Sequence, residues 1–78
     1  MSDEETETNR YNPEADPRRP AVELVGRDGN AFVIMGSVGA ALKRAGYTRE
    51  EVSEYRKQAM SGDYTNLMIV SMQWADVT

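Results

Sequence analysis

The chain has 78 residues, with thirteen acids against nine lysines and arginines for a net charge of −4, and it contains neither cysteine nor histidine. That length allows one domain, and that inventory removes disulfides, the usual zinc sites and the commonest nucleophile–base pairs, so no metal, cofactor or enzyme activity is expected. The longest strongly apolar run, Ala31 to Met35, is far too short to cross a bilayer, and the acidic start is the opposite of a signal peptide's basic one, so the chain is read as cytosolic with no membrane partner.

Residues 1–20 hold six acids, three arginines and three prolines, and Met1 and Tyr11 are their only large apolar groups. Such a stretch buries too little apolar surface to offset its ordering entropy, so a disordered acidic tail is expected there. A single domain is expected over residues 21–78, where seven acids face six bases. That near-balance is not the basic field of a DNA- or RNA-binding surface. A domain of this size buries only roughly 60% of its unfolded surface, and its core rarely supplies more than ~3–5 kcal/mol. With disulfides and metals excluded, homo-oligomerisation is the remaining source of added stability.

Ala21-Val22-Glu23-Leu24-Val25 alternates as a half-buried strand, and Gly26-Arg27-Asp28-Gly29-Asn30 reads as a turn. A first helix is predicted from about Ala31 to Ala45, with Asn30 as N-cap, an apolar stripe of Ile34, Val38, Leu42 and Ala45, and Gly46 at the left-handed C′ position. Thr48-Arg49-Glu50-Glu51 is a capping box opening a second helix that runs to about Met60, with Val52, Tyr55 and Ala59 on one face. Asp63 is placed to cap the next element. Tyr64 to Thr78 fits a short third helix to about Ser71 and then a strand through Trp74 to Val77, which pairs with Ala21–Val25 because a lone strand has no ladder partner. The expected fold is α+β and mostly helical, in the order β-α-α-α-β.

Gly36 and Gly39 each cost the first helix about 1 kcal/mol relative to alanine, and with Ala40 they leave one flank nearly bare. Close packing within the chain explains such a flank first. The sharper alternative is a subunit interface at Gly36, Gly39 and Ala40, or a surface for a planar ligand. For ligand binding, the junction of Asp28, Gly29 and Asn30 with the first helix is a generic anion site, although capping accounts for most such junctions. Arg44 and Arg56 are candidates to meet phosphates, with Arg49 and Lys57 nearby, and Tyr55 and Tyr64 are candidates to stack on bases. Solvation is the ordinary fate of such arginines, and three of the four residues Tyr47, Tyr55, Tyr64 and Trp74 are expected to finish the core or a subunit contact. Glu50, Glu51 and Glu54 have the spacing of a solvated helix face, not of a catalytic pair.

The run Asp28-Gly29-Asn30-Ala31-Phe32, the helix ending Ala41-Leu42-Lys43-Arg44-Ala45-Gly46 and the later Ser61-Gly62-Asp63-Tyr64 resemble a family of very small bacteriophage and prophage proteins. The resemblance spans roughly Val22 to Val77, and order and spacing carry it more than any single piece. The family is taken to include phage sponge proteins that sequester cyclic oligonucleotide immune signals. The resemblance therefore implies a homo-oligomer that holds a cyclic dinucleotide at subunit interfaces and blunts CBASS immunity without catalysis. It supplies no ligand residues, so the candidates above rest on their chemistry. A small protein–protein interaction module that inhibits or regulates a host protein is the rival reading, and a minor phage structural component a third.

Overall fold

The computed structural model describes residues 11–24 and 29–78. The expectations for residues 1–10, Val25, the Gly26–Asp28 part of the turn and Asp28 as a ligand residue lie outside the described residues. The elements follow the order β1 (Ala21–Val22), α1 (Ala31–Arg44), α2 (Arg49–Ala59), α3 (Tyr64–Trp74) and β2 (Asp76–Val77), with a 3-10 turn at Pro13–Ala15 before them. This is the expected β-α-α-α-β arrangement.

Local chemistry sets the helix boundaries. The Asn30 side chain accepts from the Phe32 amide at 2.8 Å and opens α1. Gly46, with φ +103°, ends it in a conformation that a side chain would strain. The Thr48 hydroxyl accepts from the Glu51 amide at 3.1 Å while the Glu51 carboxylate accepts from the Thr48 amide at 2.8 Å, so both halves of the capping box form. Asp63 caps α3 by accepting from the Asn66 amide at 2.9 Å.

The two strands are the first and last elements of the domain and run parallel, with Ala21 opposite Asp76 and Val22 opposite Val77. A parallel pair needs a long crossover, and here the three helices are that crossover. The Asp76 amide donates to the Pro20 carbonyl and the Leu24 amide to that of Thr78, each at 2.8 Å, so the pairing runs a little past the short ladder. Val38, Leu42, Tyr55, Ser71 and Trp74 are the largest fully buried side chains, joining all three helices in one core.

Two expectations are corrected. The third helix continues through Ser71 to Trp74, because Leu67, Val70, Ser71 and Trp74 recur at helical spacing and are all buried. The apparent alternation of Val70, Met72 and Trp74 is a by-product of that stripe, and Met72 is half-exposed. Secondly, residues 11–20, expected to be disordered, form a strap that packs on the helices. The Tyr11 ring lies 5.6 Å from that of Trp74. Arg18 pairs with Asp16 at 2.8 Å and with Glu51 at 2.9 Å, and its guanidinium sits 4.0 Å above the Tyr47 ring. Arg19 donates to the carbonyls of Met72 at 2.6 Å, Gln73 at 3.3 Å and Ala75 at 3.0 Å. Helix α3 has no basic residue in its own last turn, and Arg19 supplies the cation and the donors that its terminal carbonyls lack.

Candidate functional site

Two regions concentrate interesting chemistry, and they differ in kind. In the strap, the Arg18 guanidinium holds the Asp16 carboxyl far below the usual carboxylate range. The same guanidinium, helped by the Thr48 amide, brings Glu51 down to about 2. Burial, and then the bond its hydroxyl donates to Asp16 at 2.7 Å, pushes Tyr11 up. Perturbed groups often mark active sites, but paired structural clusters perturb in the same way. Here Asp16 accepts from Tyr11 and from both backbone and side chain of Arg18, leaving little capacity for a substrate. This cluster is a clasp. The Tyr47 hydroxyl beside it is the one buried side-chain polar atom among the described residues with no hydrogen-bond partner.

The second region is open. Phe32 and Met35 of α1, Ala59 and Met60 at the end of α2, and Tyr64 and Leu67 of α3 line an apolar groove of about 280 Å³. A second hollow of about 300 Å³ shares Phe32, Met35 and Met60 with it and runs one turn further along the α1–α2 seam to Gly36 and Arg56. Phe32 is 74% exposed, Met60 63% and Tyr64 50%. The Tyr64 hydroxyl donates to the Gly29 carbonyl at 2.9 Å, tying the groove's rim on α3 to the residues just before α1.

The predicted site residues therefore divide. Gly29, Asn30, Tyr64 and Arg56 fall at or beside the groove. Tyr55 does not: it is fully buried and shares a 2.7 Å hydrogen bond with Ser71, and burial raises its pKa, so it is a core residue and stacks on no ligand. Arg44 is exposed and lines none of the hollows of the seam. The proposed interface flank also divides. Gly36 borders the second hollow with open space where a side chain would be, and Ala40 is exposed. Gly39 is buried by its own chain, facing the Arg56 guanidinium and Val52 of α2 at 3.4 and 3.7 Å from where a Cβ would stand.

Sequence reasoning missed Phe32, Met35 and Met60. A signal for the first was present: Phe32 is a large apolar group off the Ile34–Val38–Leu42 stripe, on a face that an amphipathic helix keeps for polar residues. Among the described residues no three acids are arranged to hold a metal, and no helix is long and apolar enough to cross a membrane. No protein-family model, curated protein or solved structure matches this chain.

Proposed function

We propose that this chain is a non-enzymatic sponge that binds and sequesters a cyclic dinucleotide immune signal, working as a homo-oligomer in the manner implied for phage proteins that evade CBASS. One observation carries the reading. Two of the three pieces of the resemblance are far apart in sequence, yet Ala31 and Phe32 of the first and Gly62, Asp63 and Tyr64 of the last line the same groove. A cyclic dinucleotide presents flat bases and phosphates. Phe32 and Tyr64 offer exposed rings for stacking, and Arg56 stands at the far end of the same seam as a phosphate donor. A groove this open leaves one side of a bound base in water, and a second copy would cover it.

Calorimetric titration with cyclic dinucleotides and trinucleotides, paired with native mass spectrometry for copy number, tests this. Saturable binding is expected, with a native state stabilised by RT ln(1 + [L]/Kd), about 2.7 kcal/mol at a hundredfold excess over Kd, and a thermal midpoint raised accordingly. Flat titrations against all of them would overturn the sponge. The mostly apolar lining, together with half-exposed Ile69 and Met72 on α3, would then favour the protein–protein interaction module.

A further inference from the structure

Beyond Arg56 the α1–α2 seam changes character. Lys43 from the last turn of α1 and Arg49, Val52, Ser53 and Arg56 from α2 line a third hollow of about 260 Å³. Arg49, Ser53 and Arg56 recur at helical spacing, so they share one face of α2, and Lys43 meets them from across the seam. Among the described residues, none of these three cations makes an ion pair or a side-chain hydrogen bond. No acid lines the hollow. Of the nearby carboxylates, Glu51 is taken by Arg18 and the Thr48 amide and Glu54 by the Gln58 side-chain amide at 2.9 Å, while Glu50, next to Arg49 in the first turn of α2, is exposed and does not line the hollow.

This placement runs against stability. Three like charges on one rim repel one another, and Arg49 stands in the first turn of α2, where the helix dipole disfavours a cation. Arg18 and Arg19 show what structural arginines do in this fold, since each is occupied by carboxylates or carbonyls. Arg56 lies against α1 beside Gly39, with its guanidinium 3.4 Å from where a Cβ would stand, and so sits between the apolar hollow and the basic one.

We infer that the hollow formed by Lys43, Arg49, Ser53 and Arg56 is a phosphate-binding site, taking a phosphate ester or diester through charge-assisted hydrogen bonds. Because Arg56 borders both hollows, a ligand with a base over Phe32 reaches this site with its phosphate. That assignment of the phosphate end rests on the sponge reading, but the site itself can be tested without it.

The test is titration of the full-length protein with pyrophosphate at low salt, followed by calorimetry and by amide shifts. Wild type should bind saturably at millimolar concentration or below, with shifts centred on Lys43 and on Arg49 to Arg56. Arg49→Gln and Lys43→Met should each weaken binding about tenfold. Arg44→Gln, which removes an equal charge one residue from Lys43, should leave it unchanged. Circular dichroism checks that each surface variant is folded. No saturable binding by wild type, or equal losses in Arg44→Gln and Arg49→Gln, would overturn the site. Pyrophosphate binding without cyclic dinucleotide binding would keep the site and remove the sponge. Cyclic dinucleotide binding that Arg49→Gln leaves intact would keep the sponge and overturn the phosphate assignment.

Discussion

The strap and the groove both pack on α2 and α3 and are opposites in one respect. Along the strap, Arg18 and Arg19 spend their donors on Asp16, Glu51 and the end of α3, and Tyr11 covers Trp74. Along the α1–α2 seam, Phe32 and Met60 stand mostly in solvent, and among the described residues three cations have no internal partner. Interactions completed within the chain stabilise the fold. Groups that could have been completed in this way and were not are where a partner is expected. On this comparison, changes to the strap should move stability and changes to the seam should move binding.

The largest effect should come from deleting residues 1–20. The deletion removes an aromatic contact of roughly 0.5–1.5 kcal/mol and the Arg19 bonds to α3, which together give on the order of 2–3 kcal/mol, and the solvent-screened Arg18 pairs go with them. For so small a domain that lowers the melting temperature by on the order of 10 °C, read by calorimetry. An unchanged midpoint would mean that the strap contributes nothing. Arg19→Ala isolates the helix-end contribution and should cost about 1–2 kcal/mol, because the carbonyls of Met72, Gln73 and Ala75 lose their donor.

How far the sequence reveals these regions depends on the range of the interactions. Asn30, Gly46, the Thr48–Glu51 box and Asp63 act within a few residues, and each is legible from its neighbours in the chain. The strap is not, because Arg18 reaches Glu51 across 33 positions and Arg19 reaches Ala75 across 56. Composition averages over a window, and two arginines and a tyrosine with distant partners look there like ordinary tail residues. Tyr55 shows a different limit. Its place on the Val52–Ala59 face points inward, and its value as a stacking group is visible too, but only the packing decides between them: Ser71 takes its hydroxyl and Trp74 its edge. Of the seam, Arg56 and Tyr64 are legible as chemistry-bearing groups, whereas the hollows need α1 and α2 side by side.

Acid should loosen the strap before the core. Glu51 is held down to about 2 by Arg18 and then by the Thr48 amide, well below an ordinary glutamate near ~4.3. A depressed carboxylate stabilises the fold fully above its unfolded pKa and loses that contribution as pH falls through the folded one. Asp16 is lowered further, again chiefly by Arg18, and its share disappears at the acid end of the same range. The midpoint should therefore fall by a few degrees between about pH 5 and about pH 2. Arg18→Gln should start lower at neutral pH and show a shallower decline, since both carboxyls lose their main partner. Parallel curves for the two proteins would mean that acid acts elsewhere.

The smallest expected change in stability belongs to Phe32→Ala, and it is the sharpest test of the comparison. A phenylalanine truncated in a core costs about 3–5 kcal/mol. Phe32 is 74% exposed, its backbone amide is capped by Asn30, and alanine is the better helix former. The monomer should therefore shift by no more than about 0.5 kcal/mol. Binding should respond very differently: a stacking ring contributes about 1–3 kcal/mol per base, a loss of roughly tenfold or more in affinity for a cyclic dinucleotide. Chemical denaturation and calorimetric titration of the same preparation give both numbers. A stability loss of core size would place Phe32 in the fold and make the groove a flaw in packing, whereas unchanged affinity would mean that the bases rest elsewhere. Only a stable protein with weakened binding fits a seam whose apolar groups are left uncovered for a ligand.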